Sequence, residues 1–153
     1  MSGKTIRMIK IRERSQEDTE ALRNLFFKER LKTFSWADLS EFSLSDFDAE
    51  TKGEYILVAS IDGMIAGFIS VWIKDNFIHH LYVDGKFQNQ GIGTQLLNAA
   101  LAKIGSPISL KYEEKNTSAV RFYRQKGFIE KAKGVSKIGN YILFELVNRT
   151  NEK

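Results

Sequence analysis

The chain has 153 residues, of which 42% are hydrophobic and 27% charged, with a net charge of +4 and no cysteine. That length bounds one domain with a sizeable core, and the missing cysteine excludes disulfides, thiolate metal sites and a cysteine nucleophile. No apolar run reaches the roughly 18 residues of a membrane span, and the opening MSGKTIRMIKIR lacks the apolar stretch of a signal peptide. The expectation is a single cytoplasmic domain, residues 1–153 with its core at about 5–148, with no membrane association.

In chain order, the alternating apolar residues Ile6 to Arg12 predict a first strand. Ser15-Gln16-Glu17-Asp18 has the residue types of a helix start, and Glu17 to Phe34 predicts a helix whose buried face is Leu22, Leu25 and Phe26. Phe34 to Glu50 carries five acids (Asp38, Glu41, Asp46, Asp48, Glu50) and no Lys or Arg, and reads as a short helix and a loop. Glu54 to Ser60 and Ile65 to Ile73 flank Asp62-Gly63, a hairpin signal. Lys74-Asp75-Asn76 turns the chain into a further strand, Phe77 to Val83, so that three strands form an antiparallel meander.

The stretch FIHHLYVDGKFQNQGIGTQLLNAAL, Phe77 to Leu101, organises the rest. A strand runs through a glycine-bearing loop into a helix whose apolar residues Ile92, Leu96, Leu97, Ala100, Leu101 and Ile104 recur at three-to-four spacing. A helix N-terminus reached through glycines presents unpaired N–H groups, which suit a phosphate. A P-loop needs Lys and Ser/Thr after its last glycine, whereas Gly93 is followed by Thr94 and Gln95. A dinucleotide fingerprint needs a third glycine where Leu96 stands, although Glu113 falls where a ribose-binding acid would, and its glycine loop would follow the first strand rather than a meander.

After the helix, Gly105 and Pro107 give a stop. Ile108 to Tyr112 predicts a strand parallel to Phe77–Val83, Asn116 caps a helix ending near Gly127, Phe128 opens a strand or turn region, and Tyr141 to Val147 is the last strand. Met1–Lys4 and Arg149–Lys153 read as frayed ends.

Gln88-x-x-Gly91-x-Gly93 resembles the Q/R-x-x-G-x-G/A acyl-CoA pyrophosphate loop of the GNAT superfamily of N-acyltransferases. Downstream, Asn116-x-x-Ala119-x-x-Phe122-Tyr123-x-x-x-Gly127-Phe128 resembles the later motif of the same superfamily. The likeness covers about residues 54 to 147. It implies a mixed, mostly antiparallel α/β sheet, split where the fourth and fifth strands diverge, with helices on both faces, and transfer of an acetyl group from acetyl-CoA to a primary amine in a ternary complex.

The resemblance also implies site residues. Gln88, Asn89, Gln90, Gly91, Ile92, Gly93 and Thr94 would hold the pyrophosphate. Backbone groups at Leu81, Tyr82 and Val83 would hold the pantetheine and thioester carbonyl, where an N–H stabilises the oxyanion. Asn116 and Phe122 would contact the CoA arm, and Tyr123 would protonate the leaving thiolate. A phenol with a pKa near ~10 is protonated at neutral pH and can donate to a thiolate whose acid lies near ~8.5.

The acceptor's proton has no single assigned destination. Relatives place a Glu early in the fourth strand, where this chain has Phe77 and Ile78. Glu113, Glu114 and the two histidines, His79 and His80, remain as alternatives. Adjacent strand residues face opposite sides, which puts at most one histidine in the cleft and argues against a two-ligand metal site, so no metal is expected. For the acceptor, Trp36 or Phe42 could contact a cationic amine, with Asp38, Glu41 or Asp46 attracting it. The expected partner is a small amine. Peptide acetylation and a non-catalytic acyl-CoA sensor are the rivals. The basic balance makes nucleic-acid binding a weaker reading, because most basic residues alternate with acids. A homodimer is common among relatives.

Overall fold

The structure is a computed structural model that describes residues 8–34, 39–137 and 139–147. The candidate acceptor residues Trp36 and Asp38, and both expected frayed ends, lie outside the described residues.

A seven-stranded sheet in the order β1-β2-β3-β4-β5-β7-β6 carries helices on both faces. Its strands are β1 (Ile9–Glu13), β2 (Tyr55–Ile61), β3 (Met64–Trp72), β4 (Phe77–Val83), β5 (Ile108–Glu113), β6 (Ile129–Ser136) and β7 (Gly139–Leu146). The helices are α1 (Thr19–Thr33), α2 (Asp46–Glu50), α3 (Ile92–Leu101) and α4 (Thr117–Gln125). The expected meander is present: β2 pairs antiparallel with β3, and β3 with β4. The Asp62-Gly63 turn has both φ angles positive, 53° and 80°, which is what a two-residue turn matching the strand twist requires.

Alternation along the strands divides the core. Ile56, Val58 and Phe68 face α1 and α2, where they pack with Leu22, Leu25, Phe26 and Phe47. Leu57, Ile69 and Val71 face the other way, against Ile92, Leu96, Leu97 and Ala100 of α3 and Tyr123 of α4. Phe26 is fully buried, and its ring meets Phe47, Phe68 and Tyr82 edge-on. Truncating such a side chain to Ala costs about 3–5 kcal/mol.

β4 departs from simple alternation. Ile78 belongs to the α3/α4 side and Tyr82 to the α1/α2 side, although residues four apart on a strand should share a face. The cause is a β-bulge: Ser70 pairs with His80 and Val71 with Ile78, so His79 has no partner on β3. The extra residue shifts the phase of everything after it. It also overturns the expectation that His79 and His80 point apart, because their rings stack at 3.9 Å.

The second departure is at β5. β4 and β5 run parallel, but only Phe77 pairs with Ser109 and Ile78 with Leu110. Beyond Ile78 the strands separate. β5 continues pairing with β7 over its whole length, so the sheet opens on one side of β4 while staying intact on both flanks.

Candidate active site

The opening between β4 and β5 is a cleft of about 560 Å³. Its walls come from the end of β4, the loop into α3, the first turn of α3, Tyr112 on β5, and α4, and Glu29 and Thr33 of α1 close one side. Of the residues the sequence singles out, Leu81, Tyr82, Val83, Gln88, Asn89, Gly91, Ile92, Gly93, Thr94, Asn116, Phe122 and Tyr123 line it. Gln90, Glu41, His79, His80 and Glu113 do not.

Strand geometry determines what β4 offers the cleft. A residue's N–H and C=O share one edge of an extended strand, and that edge alternates. Tyr112 Oη donates to the Leu81 carbonyl at 3.4 Å, and Gln88 Nε2 donates to the Val83 carbonyl at 3.3 Å. Leu81 and Val83 therefore turn their backbone groups to the gap, and their N–H groups lie on the edge that β5 has left.

The glycine loop adds donors. Asn89 and Gly91 both have positive φ, 65° and 80°, which reverses the chain between β4 and α3. At Gly91 a Cβ would meet nothing within 4 Å, so backbone conformation rather than space calls for glycine there. The first α3 hydrogen bond runs from Gln95 N–H to the Gly91 carbonyl at 3.0 Å. The N–H groups of Ile92, Gly93 and Thr94 thus have no intrahelical acceptor and sit at the positive end of the helix. At Gly93 a Cβ would touch Phe122 and Val83 at 3.7 and 3.8 Å, on the wall of the cleft.

On the opposite wall, Asn116 Oδ1 accepts the Ala119 N–H at 3.2 Å and caps α4. The cap starts a helix that buries Tyr123 to 1% exposure, with its ring against Tyr112, Phe122 and Phe128. Among the described residues the Tyr123 hydroxyl is buried without a well-formed hydrogen bond. Burial holds this phenol well above its usual pKa and pushes Tyr112 up to about 12. Both stay protonated at neutral pH. A buried hydroxyl without a well-formed hydrogen bond costs about 1–3 kcal/mol, and the residue that carries it lines the cleft.

With Thr33, Phe87, Tyr112, Ser118 and Ala119, Glu29 is one of the cleft residues that sequence reasoning missed as site residues. It is 4% exposed, its Oε2 accepts the Gly85 N–H at 2.9 Å, and Lys32 Nζ lies 3.3 Å away. In the sequence it is one more position on the inner stripe of α1, and only the fold brings Gly85 beneath it.

Three of the described acids of the 34–50 segment, Asp46, Asp48 and Glu50, are engaged within the fold. Asp46 meets Arg30 at 3.1 Å, Asp48 meets Arg23 at 2.7 Å, and Glu50 meets Arg30 at 3.6 Å and His80 at 3.4 Å. The Ser43 N–H and Arg30 hold Asp46 below the usual carboxylate range. Phe42 stacks on the Arg30 guanidinium at 3.9 Å, so its cation contact is made inside the protein, while Glu41 is exposed. Glu113 accepts from Ser136 at 3.3 Å on the β6 side, and burial raises its pKa.

The comparisons with known proteins agree with this arrangement. The model of the Acetyltransferase (GNAT) family matches residues 19–128. An uncharacterized N-acetyltransferase of Methanocaldococcus jannaschii is 34% identical over 87 residues, a match covering 48% of this chain, and the chain spans 38% of that relative's length. Among solved structures, the PaiA N-acetyltransferase of Thermoplasma acidophilum in complex with coenzyme A superposes with a TM-score of 0.78 at 21% identity, covering 92% of this chain and 99% of that one. YncA of Salmonella typhimurium, determined with its cofactor acetyl-CoA, gives 0.74 at 17% identity over 95% and 96%. The split sheet, the glycine loop and the matched family model together place this chain in the GNAT family of acetyltransferases.

Proposed function

We propose that this chain, an acyl-CoA-dependent N-acetyltransferase by family, acts as one domain that transfers the acetyl group of acetyl-CoA to the primary amine of a small cationic molecule, by direct attack in a ternary complex. The observation that carries the reading is the cleft itself: the residues at the start of α3, the strand edge that β5 leaves unpaired on β4, and Tyr123 line one space.

Each group has a task in that reaction. The α3 N-terminus and Gly91–Gly93 hold the pyrophosphate, Gln88 steadies the loop against the Val83 carbonyl, and the Leu81 and Val83 N–H groups orient the thioester. When the amine nitrogen forms its bond to the carbonyl carbon, negative charge grows on the oxygen, and an N–H on the open β4 edge stabilises it. As the C–S bond breaks, the sulfur takes a proton from Tyr123 Oη, and the amine's surplus proton leaves to solvent or a nearby base. Burial keeps Tyr123 protonated and ready.

A small cation is favoured by Glu29, a carboxylate that lines the cleft on the α1 side. Lys32 partly offsets its charge, but Lys32 is 57% exposed and solvent screens it. The test is thiol release from acetyl-CoA against polyamines, aminoglycosides, amino acids and N-terminal or lysine peptides. Release with small cationic amines supports the reading. Release with peptides alone overturns the acceptor, and binding of acetyl-CoA with no release from any of them moves the protein to the sensor class.

A further inference from the structure

On the α1/α2 side of β4, outside the cleft, the bulge at His79 gathers the chain's only two histidines against the end of α2. One ligand atom from each of Glu50, His79 and His80 lies within 4.8 Å of the other two. His80 Nε2 and Glu50 Oε1 are 3.4 Å apart. The His80 side chain is 10% exposed, its ring packs edge-on to Phe26 at 4.8 Å, and among the described residues its buried Nε2 faces Glu50 Oε1 without a well-formed hydrogen bond. His79 Nδ1 lies 2.6 Å from Oε2 of Glu54, whose side chain is 6% exposed. Arg30 approaches the other Glu50 oxygen, Oε2, at 3.6 Å and leaves Oε1 towards the imidazole.

We propose that Glu50, His79 and His80 form a binding site for a divalent transition ion of the zinc class, with Glu54 as the outer carboxylate that orients His79. Two imidazoles and one carboxylate are a donor set that such ions favour and that magnesium and calcium do not. With metal–ligand bonds of about 2.0–2.1 Å, two ligand atoms of a tetrahedral site stand about 3.3 Å apart; His80 Nε2 and Glu50 Oε1 already have nearly that separation, and the His79 ring, within 4.8 Å of both, must turn in on binding. Glu54 supplies the usual second half of a histidine ligand, because a carboxylate on one ring nitrogen fixes the tautomer and leaves the lone pair on the other. The buried Nε2 of His80, in contact with Glu50 Oε1 but without a well-formed hydrogen bond to it, supplies the lone pair such an ion would take. Occupancy would clip the last turn of α2 to β4 at the bulge, two residues before the backbone of Leu81 that faces the cleft. The site stands on residues separate from the acyl-CoA cleft, so it can be true or false independently of the proposed activity.

The test uses the full chain without a polyhistidine tag, stripped with a chelating resin and titrated with zinc sulfate. Long-range proton–nitrogen spectra report the ring nitrogens of the two histidines, and cobalt(II) gives a second, visible-band readout. The expected result is that both imidazoles shift together and saturate at one ion per chain. Glu50→Gln and His79→Gln, which retain the circular dichroism of the wild type, should each lose at least about tenfold in affinity, and Glu54→Gln a comparable factor through ligand orientation. Histidine resonances that stay unmoved in excess zinc overturn the proposal. So does one-to-one binding that both Glu50→Gln and His79→Gln leave unchanged.

Discussion

Tyr112 Oη reaches across the parting strands and donates to the Leu81 carbonyl at 3.4 Å. It bridges β4 and β5 at a level where no backbone bond joins them, since their pairing stops at Ile78 and Leu110. The bond is long, so its share of stability lies at the low end of the roughly 0.5–1.5 kcal/mol of a neutral pair. Tyr112→Phe should lower the unfolding free energy in urea by less than about 1 kcal/mol and leave the fold intact. A loss several times larger would mean that the hydroxyl, rather than the packing of β5 on β7, holds the opening in shape.

Gly91 and Gly93 should fail differently when changed to alanine. Gly91 has a φ of 80°, so Gly91→Ala should cost about 1–2 kcal/mol in thermal or urea unfolding. Gly93 is helical, and its added methyl meets Phe122 and Val83 at ordinary contact distance. Gly93→Ala should therefore preserve stability while weakening acetyl-CoA binding, because the methyl stands on the cleft wall. Calorimetric titration of both variants checks the separation.

Glu29 separates acceptor from acyl donor. Glu29→Gln keeps an oxygen to accept the Gly85 N–H but removes the negative charge from the cleft. The KM for a cationic amine should rise about tenfold, equivalent to ~1.4 kcal/mol, with the KM for acetyl-CoA unchanged. Equal increases in both would show that the residue supports the loop rather than the acceptor.

Asp18 gives the fold a defined acid sensitivity. Arg12 meets it with two hydrogen bonds, 2.8 and 3.0 Å, and the Ser15 N–H adds a third at 2.8 Å. These bonds hold the Asp18 pKa below its usual value. A depressed carboxylate pKa adds stability that is fully present above the unfolded pKa of about 3.9 and is lost as the pH falls through the lower folded pKa. Arg12 is 37% exposed, so screening limits the contribution to about 1 kcal/mol. Asp18→Asn should be less stable than wild type by about that amount at pH 7, with the difference closing as the pH falls below the usual carboxylate range. A gap that persists at low pH would assign the effect to lost hydrogen bonds rather than charge.

Elements specified by neighbouring residues were legible in the sequence. β4 spans Phe77–Val83 as expected, the Asp62-Gly63 turn has the positive φ angles its residue types allow, and Asn116 caps α4 through its own side chain. What was not legible depends on distant pairing. The bulge at His79 leaves no local mark, because it is defined by β3 pairing with Ile78 and His80 on either side of it, and missing it put on opposite faces two imidazoles that in fact stack. Asp46, Asp48 and Glu50 looked free because their partners, Arg23 and Arg30, lie 16 to 25 positions earlier. Glu29 was hidden for the same reason, since its hydrogen bond to Gly85 spans 56 positions.

Turnover and acetyl-CoA affinity of Tyr123→Phe, measured side by side with thermal stability, bear most directly on the proposed chemistry. Among the described residues the hydroxyl makes no well-formed hydrogen bond and has the Tyr112 hydroxyl as its polar neighbour, so its removal should change stability by no more than roughly 1 kcal/mol and leave acetyl-CoA affinity unchanged. The rate of thiol release should fall by about 10²-fold or more as the leaving thiolate loses its proton donor. A variant that binds acetyl-CoA as before and turns over at the wild-type rate would contradict the role of Tyr123 and the reading of the cleft built on it.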